Sequence, residues 1–386
     1  MNDQAIRAKI QSMPASRIRE VADAGMGLDG VIPLWFGESD RPTPAVIKQA
    51  AVEALDRDET FYAANVGLTG LREAIRTYSN NLYSCALDLD QIAVTGSGMQ
   101  AVMLSIQMLL EPGDNMVTTG PTWPNIPGTV DIMGAEPRIV PLDEHGGVWS
   151  LDLDKLMARV DQHTRVIFIN SPGNPTGWVM PREQQETLLA FARERGVWLL
   201  SDDVYSRITY HGRHAPSFLE LVEPGDRFIS INSFSKAWRM TGWRLGWVVA
   251  PPELLNQYAK LTEFNTSCQP PFVQHAGITA LEKGEDALAE MMAELKTNRQ
   301  LVMDRLGGCT RLRISPPDAA FYAFFAVEGM SDSVATAKDI LAQTRVGLAP
   351  GAAFGPEGEG YLRICFANRT DRMAEALDRL ADYFDR

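Results

Sequence analysis

The chain has few of the side chains that build disulfide frameworks and metal sites, with only four cysteines and five histidines among its 386 residues. The cysteines lie far apart and no Cys-x-x-Cys occurs. This spacing predicts reduced thiols in a cytoplasmic protein, and neither a disulfide framework nor a thiolate metal site is expected. The cysteines are Cys85, Cys268, Cys309 and Cys365.

Long apolar runs and an excess of positive charge are also absent. No window approaches the ~18 apolar residues of a membrane-spanning helix, and residues 1–7 contain no apolar run typical of a signal peptide. The 36 Lys and Arg are outnumbered by 49 Asp and Glu, which gives a formal net charge of −13. An acidic chain of this kind is not expected to bind nucleic acid or an anionic membrane.

The length and the pattern of the chain predict an α/β protein with two domains, because 386 residues exceed the ~150 of a typical single domain. In its middle, apolar strand-like runs alternate with helical patterns, which is typical of a mostly parallel sheet covered by helices on both faces. The predicted strands span residues 91–95, 115–119, 165–170, 197–200, 228–232 and 245–250, and a helix spans 182–195 before Gly196.

The last third of the chain changes character. A long helical stretch over about 272–306 precedes strands and helices of a smaller α+β unit. We therefore divide the chain into an N-terminal segment that belongs to the small domain (1–45), a large domain (46–275) and the small C-terminal domain (276–386).

Polar side chains follow several of the predicted strands. Because ligands of open α/β sheets bind beyond the carboxyl ends of the strands, these side chains are expected to meet at one site. They are Ser97, Trp123, Asn174, Asp202 and Lys236.

The segment 233–247 carries the strongest chemical signal. It places a lone lysine, Lys236, after a strand and beside the hydroxyls of Ser233 and Ser235, with Arg244 eight residues later. A lysine amine forms a Schiff base with an aldehyde, and hydroxyls with an arginine suit a phosphate dianion. Pyridoxal 5'-phosphate (PLP), a phosphorylated aldehyde, is therefore a candidate cofactor. The alternative is an exposed lysine in a loop.

A series of short motifs occurs in a fixed order along the chain, and together they resemble the class I and II aminotransferases, which are fold-type I PLP enzymes. The resemblance runs from about residue 32 to the C-terminus. It implies a large PLP-binding domain with a mostly parallel seven-stranded sheet flanked by helices, a smaller α+β domain, and a homodimer with shared active sites. The motifs are Trp35-Phe36-Gly37-Glu38, Phe61-Tyr62 with Gly67 and Leu71-Arg72, Thr95-Gly96-Ser97-Gly98, Pro121-Thr122-Trp123-Pro124, Asn174-Pro175-Thr176-Gly177, Ser201-Asp202-Asp203-Val204-Tyr205, Ser233-Phe234-Ser235-Lys236 with Arg244, and Arg363.

By this resemblance, Lys236 is the Schiff-base lysine and proton shuttle, with a pKa expected to be lowered by the cofactor ring and Arg244. Asp202 is the implied partner of the pyridine nitrogen. Asp203 is the weaker candidate, because neighbouring side chains on a strand point apart. Asn174 and Tyr205 are the implied donors to the phenolic oxygen of the cofactor, and the peptide bond after Asn174 is expected to be cis.

The resemblance also implies a phosphate site and an aromatic partner for the cofactor ring. Free N–H groups at the start of a helix attract anions. The residues implied to bind the phosphate are Ser97, Gly98, Met99, Ser233, Ser235 and Arg244. Trp123 is expected to stack on the pyridine ring. Tyr62 is expected to reach the phosphate from the neighbouring subunit, so that an isolated monomer is inactive.

The substrate is expected to bind through Arg363, which lies in an apolar strand where an arginine is costly unless it is paired. The resemblance supplies the substrate α-carboxylate as its partner, with Gly37 and Asn174 beside it. Relatives specialised for dicarboxylates carry a second arginine near the place of Phe264, so an apolar or aromatic pocket is favoured here. Its residues are Trp35, Phe36 and Phe264, while Arg41 and Arg239 keep a dicarboxylate substrate open.

The activity implied is that of a PLP-dependent aminotransferase, which exchanges the amine of an L-amino acid with a 2-oxo acid by a ping-pong mechanism. A C–S β-lyase or a racemase on the same fold remains an alternative, because the same residues serve those reactions. A non-catalytic PLP-binding regulator is the remote alternative, since such proteins usually carry a DNA-binding module and this chain is acidic.

Overall fold

The computed structural model describes residues 6–385. Its strands are β1 (Ile32–Pro33), β2 (Ile92–Thr95), β3 (Asn115–Gly120), β4 (Glu136–Pro141), β5 (Asp143–His145), β6 (Val148–Ser150), β7 (Thr164–Asn170), β8 (Trp198–Asp202), β9 (Phe228–Ser233), β10 (Gly246–Val249), β11 (Leu312–Arg313), β12 (Tyr322–Val327), β13 (Val346–Gly347), β14 (Ala349–Pro350) and β15 (Tyr361–Cys365). Its α-helices are α1 (Ala8–Gln11), α2 (Arg17–Ala24), α3 (Ala45–Asp56), α4 (Thr69–Tyr83), α5 (Gly98–Leu109), α6 (Asn125–Met133), α7 (Leu153–Ala158), α8 (Arg182–Arg195), α9 (Pro252–Asn265), α10 (Pro271–Lys283), α11 (Glu285–Leu306), α12 (Ser333–Thr344) and α13 (Thr370–Phe384).

The larger sheet has seven strands in the order β2-β10-β9-β8-β7-β3-β4. Its pairings are parallel except for those of β10, which runs antiparallel to both β2 and β9. The central strands β7, β8 and β9 are almost entirely buried, because both faces of the sheet are covered. The predicted mostly parallel, seven-stranded α/β sheet is confirmed.

Most predicted elements of the middle of the chain form within one or two residues of their expected bounds. Helix α8 ends at Gly196, whose φ of +63° suits a residue without a Cβ. The long helical stretch predicted over 272–306 is instead two helices, α10 and α11, which meet at Gly284. A Cβ at Gly284 would collide with the carbonyl oxygen of Ala280 and the ring of Trp238, so the chain turns there without a side chain.

A second sheet lies in the C-terminal third of the chain. It is antiparallel, with the strand order β11-β12-β15-β14, and helix α13 carries a buried apolar face in this region. The N-terminal strand β1 pairs in parallel with β13, so the start of the chain joins this part of the fold. The domain boundaries near residues 45 and 275 stay predictions.

Two further properties hold within residues 6–385. None of the helices there combines the length and the apolar character that crossing a bilayer requires. The same residues contain no cluster of three or more His, Cys, Asp or Glu side chains arranged to hold a metal ion.

Candidate active site

A cavity of about 540 Å³ opens where β7, β8 and β9 end, at Asn170, Asp202 and Ser233. This volume lies in the range of small-molecule sites. Most residues predicted for the site line the cavity, namely Trp35, Gly37, Gly98, Met99, Trp123, Asn174, Asp202, Tyr205, Ser233, Ser235, Lys236, Arg244 and Arg363. Three do not, namely Ser97, Tyr62 and Phe264.

Lys236 follows β9 and points its amine into the cavity. Its Nζ donates a hydrogen bond of 2.6 Å to the carbonyl oxygen of Gly37, and it lies 5.6 Å from the centre of the Tyr205 ring. Burial lowers the pKa of Lys236 to about 8, and the charge of Arg363 adds to this lowering. The expected lowering is therefore present, but burial is its main cause and the nearby cation is Arg363 rather than Arg244. A neutral, nucleophilic amine is accessible close to physiological pH.

Asp202 is the last residue of β8 and is 5% exposed. Burial raises the pKa of Asp202 to about 7, and its carboxylate accepts one hydrogen bond, of 3.3 Å, from the N–H of Val204. Asp203 points away from the cavity, where the hydroxyls of Ser201 and Ser230 each donate to it at 2.6 Å. Asp202 is thus a buried carboxylate in the cavity wall, and no cationic side chain within residues 6–385 forms a salt bridge with it.

Arg363 on β15 is a buried cation without a carboxylate partner in the described part of the chain. Its side chain is 2% exposed and donates to Asn174 Oδ1 at 2.8 Å and to the carbonyl oxygen of Trp35, while its Nε has no hydrogen-bond partner among the residues that the structure describes. The guanidinium carbon lies 4.4 Å from the centre of the Tyr322 ring. A buried charge without a counter-charge is costly, so this geometry favours an anionic ligand. The bond between Asn174 and Pro175 is cis, as expected.

The part of the cavity suited to an anion lies at the N-terminus of α5. Gly98 and Met99 line the cavity there, and Ser233 donates from its Oγ to Ser235 Oγ at 2.9 Å. Arg244 completes this side of the cavity and also donates to the carbonyl oxygen of Thr241. Ser97 caps this helix, because its hydroxyl accepts from the N–H of Gln100 at 3.0 Å, and its part in binding a phosphate stays a prediction.

Tyr62 and Phe264 lie on the surface of the chain, 89% and 90% exposed. Arg41 is held by Glu294, with an N–O distance of 2.7 Å, and it lines a separate surface hollow together with Arg239. Neither arginine reaches the cavity of its own chain. The two arginines that allowed for a dicarboxylate substrate in the sequence analysis therefore lie outside the cavity.

Several cavity residues escaped the sequence reasoning. Tyr322 forms a hydrogen bond of 2.7 Å with Tyr205 between their hydroxyl oxygens. Arg19 of α2 lines the cavity and lies over the ring of Phe36, with 5.8 Å from its guanidinium carbon to the ring centre. For Tyr322 a signal existed, since it is a polar aromatic in an otherwise apolar strand, whereas nothing near Arg19 indicated that α2 reaches the site. The others are Ile18, Glu38, Asn170, Val204 and Thr241.

Comparison with known proteins places this geometry in a family. The sequence model described as aminotransferase class I and II matches residues 29–380. The chain is 34% identical over 379 residues to an aspartate aminotransferase of Pyrococcus horikoshii, which covers 97% of this chain and 96% of that relative. It is also 34% identical to aromatic-amino-acid aminotransferase 2 of Thermococcus litoralis, with 97% of each chain covered.

Solved structures agree with these sequence relatives. The aspartate aminotransferase of Thermotoga maritima matches with a TM-score of 0.92 at 31% identity, and the match covers 99% of this chain and 100% of that one. An alanine aminotransferase of Pyrococcus furiosus matches with a TM-score of 0.92 at 28% identity, covering 98% and 99%. From the family match and the likeness over nearly the whole length, the chain belongs to the class I and II aminotransferases, enzymes that transfer amino groups.

Proposed function

We propose that this aminotransferase uses PLP, held by Lys236, to exchange the amine of an L-amino acid with a 2-oxo acid in a ping-pong cycle. One observation carries the proposal: a single cavity joins a buried amine to two buried ionisable groups that form no salt bridge within residues 6–385. The three groups belong to Lys236, Asp202 and Arg363. A protonated ring nitrogen would supply the cation that Asp202 lacks, and a substrate carboxylate would supply the anion that Arg363 lacks.

The residues of the cavity fit the parts of this cofactor. The N–H groups at the start of α5, the hydroxyls of Ser233 and Ser235, and the Arg244 guanidinium offer the donors that a phosphate needs. Trp123 is half-buried in the wall and presents a flat aromatic side chain. When bound, PLP supplies an aldehyde that condenses with amines and a ring that withdraws electrons from the α-carbon of the substrate.

Lys236 has the properties of the proton carrier in this reaction. Its amine is neutral in an appreciable fraction near pH 8, and the carbonyl oxygen of Gly37 holds it at one place in the cavity. A positioned group of this kind accelerates proton transfer typically by ~10²–10⁴-fold. We therefore assign to Lys236 both the covalent attachment of PLP and the transfer of the substrate α-proton.

Arg363 is the proposed receptor of the α-carboxylate. Its Nη1 and Nη2 donate to Asn174 Oδ1 and the Trp35 carbonyl, which fixes the fork, and each keeps a second N–H for an oxygen atom of the ligand. Trp35 and Phe36 offer apolar contacts to the substrate side chain, whereas Arg19 offers a positive charge. A panel of aromatic, aliphatic and acidic amino donors, with kcat/KM measured for each, tests which contact governs specificity.

Transamination is separated from the lyase and racemase alternatives by a half-reaction. We expect the holoenzyme, given an amino acid and no 2-oxo acid, to release about one equivalent of 2-oxo acid per subunit and then stop. The reason is that a ping-pong enzyme keeps the amine until an acceptor arrives. Sustained release of ammonia with pyruvate would indicate a β-lyase, and loss of optical activity without any oxo acid would indicate a racemase.

The pKa of Lys236 predicts how the capture of PLP depends on pH. The apo-protein is expected to bind PLP covalently with a rate that rises roughly 50-fold between pH 6 and pH 8 and then levels off, because only the neutral amine attacks an aldehyde and its pKa is about 8. Stopped-flow absorbance gives the rate, and borohydride reduction followed by peptide mass spectrometry locates the attachment. A rate that is flat or falling over this range contradicts the assignment.

A homodimer with shared sites is part of the proposal. Tyr62 and Phe264 expose large aromatic side chains, as does Phe61, which is 78% exposed. A hydrogen bond of 2.8 Å from Asn65 to Glu263 joins the two segments that carry them, and large exposed apolar side chains grouped in this way are typical of surfaces that bind a protein. If the partner subunit supplies Tyr62 to each cavity, two inactive variants complement each other. We expect an equilibrated equal mixture of Tyr62→Ala and Lys236→Ala to recover roughly a quarter of the wild-type activity, because half of the dimers are mixed and each has one intact site.

The control for this experiment is a mixture of Arg244→Ala and Lys236→Ala. Both residues line the cavity of their own chain, so no mixed dimer contains an intact site. Recovery in the control, or no recovery with Tyr62→Ala, contradicts the shared site. Sedimentation analysis of the same samples shows whether dimers form.

A further inference from the structure

Tyr322 contacts Arg363 and Gly37, which the proposed function uses, and Tyr205, which the family resemblance implies as a donor to the phenolic oxygen of the cofactor. Its hydroxyl lies 2.7 Å from the Tyr205 hydroxyl, and its ring lies under the guanidinium of Arg363 at 4.4 Å. Its hydroxyl also fills the space beside Gly37, where any Cβ would collide with it. Residue 37 must therefore be a glycine to leave room for the Tyr322 hydroxyl. The missing side chain also lets the backbone approach the substrate.

The two hydroxyls of this pair cannot both donate to each other, so one proton lies between them and the other is free. Tyr205 and Tyr322 are 3% and 0% exposed, and burial raises the pKa of both, so both stay protonated at neutral pH. The positive charge of Arg363 acts in the opposite direction and lowers the pKa of both hydroxyls. For Tyr322 this is the second-largest effect after burial. Either hydroxyl could donate across the 2.7 Å contact, and the Arg363 guanidinium over the Tyr322 ring favours Tyr322 as the donor, because a nearby cation makes a hydroxyl more acidic.

The charged and titratable groups around the pair come from four parts of the fold. Besides Arg363, they are Asp202 at the end of β8, Cys365 on β15, Glu38 after β1 and Lys236 after β9. Among the hydrogen bonds of the described residues, the Tyr322 hydroxyl has Tyr205 as its partner and no other. Its donation to Tyr205 is therefore not divided with a second acceptor of the protein.

We propose that Tyr322 is a positioning residue. Its hydroxyl donates a hydrogen bond to the Tyr205 oxygen, so that the Tyr205 hydroxyl directs its own hydrogen into the cavity toward bound PLP. The inference rests on the proposed function and extends it. Tyr205 donates more strongly to an anionic oxygen while it accepts from Tyr322, because hydrogen bonds in a chain polarise one another. Tyr322 thereby lowers the pH at which the bound cofactor gains a proton, without touching the reacting atoms.

The test is a pH titration of the visible absorbance of the holoenzyme. Tyr322→Phe keeps the ring over which Arg363 lies and removes only the hydroxyl. We expect the midpoint of the titration to rise by about 0.1–0.7 pH unit, because the loss of one polarising neighbour weakens a charge-assisted hydrogen bond by about a tenth to a third. Borohydride reduction should still fix PLP to Lys236, and kcat should fall more than KM rises. Tyr258→Phe is the matched control, because its buried hydroxyl also bonds another hydroxyl, that of Ser105 at 2.6 Å, but it does not line the cavity.

A double-mutant cycle with Tyr205→Phe decides whether Tyr322 acts through Tyr205. The cycle predicts that Tyr205→Phe raises the midpoint more than Tyr322→Phe does, and that adding Tyr322→Phe to it changes nothing further. An unchanged midpoint in Tyr322→Phe, an equal shift in Tyr258→Phe, or a shift that persists in the Tyr205→Phe background overturns the inference. A wild-type protein that gains no visible absorbance with PLP overturns the proposed function itself, and the inference falls with it.

Discussion

Replacement of Lys236 by alanine is expected to lower the rate of amine exchange by at least ~10²–10⁴-fold, which is the contribution of a positioned proton carrier alone. The covalent attachment of PLP should disappear in the same variant, so that borohydride no longer fixes the cofactor to the protein. The fold should survive, because the Nζ of Lys236 makes one hydrogen bond, to the Gly37 carbonyl, and forms no salt bridge with the described residues. Circular dichroism and thermal melting check this point.

The phosphate-binding donors predict what the Lys236→Ala variant retains. Ser233, Ser235, Arg244 and the start of α5 do not depend on the lysine amine, so PLP should still bind non-covalently and be removed by dialysis. Lys296→Ala is the matched control, since Lys296 occupies an exposed position of α11 and does not line the cavity. Turnover by Lys236→Ala within tenfold of the wild type, or borohydride labelling at another lysine, would remove Lys236 from the mechanism.

Much of the fold followed from periodicity, because the central strands are buried on both faces and read as apolar runs. Strand β9 is wholly buried, and its start was predicted from the run of Phe, Ile and Ser. Strand β4 was missed, because it lies at the edge of the sheet with a mixed pattern of burial and begins Glu-Pro-Arg. The division at Gly284 was missed for a different reason, since both α10 and α11 have helical patterns and only the packing of Trp238 shows the turn.

The site was predictable where its residues follow strands, and less so where the chain returns from afar. Asp202, Asn174 and Lys236 meet because parallel strands end at one edge, which the alternation of elements indicates. Tyr322 reaches the cavity from the second sheet and Arg19 from α2. No local sequence pattern shows that these two elements lie beside the cavity. The position of Arg41 beside Glu294, which is 253 residues away in the sequence, depends on tertiary packing in the same way.

Replacement of Asp202 by asparagine is expected to lower kcat by roughly 10²–10³-fold, the effect of removing one preorganised electrostatic partner from a buried site. Asparagine keeps the size and the hydrogen bond from the N–H of Val204 to the side-chain oxygen, but it loses the negative charge. PLP affinity, measured by titration of the apo-protein, should fall as well. Asp203→Asn is the matched control, because Asp203 is equally buried and adjacent, yet it bonds Ser201 and Ser230 outside the cavity.

The stability of the Asp202→Asn variant gives a test that does not depend on turnover. In the apo-protein the pKa of Asp202 is raised from an unfolded value near 4 to about 7, so the unfolded chain loses the proton more readily than the folded one. The resulting loss of folding stability is absent below pH 4, grows between pH 4 and pH 7, and is constant above pH 7. Apo Asp202→Asn should therefore melt at a higher temperature than the apo wild type at pH 8 and at the same temperature near pH 4.

Binding of PLP should reverse that order. A cationic ring nitrogen beside Asp202 would turn the buried carboxylate from a cost into half of an ion pair, a gain that asparagine cannot share. At pH 8 with saturating PLP, the wild type should then melt above Asp202→Asn, whereas the apo forms show the opposite. This reversal of the order of the two melting temperatures reports the positive charge that the cofactor brings to Asp202. If the order is the same with and without PLP, Asp202 does not face a cation of the cofactor.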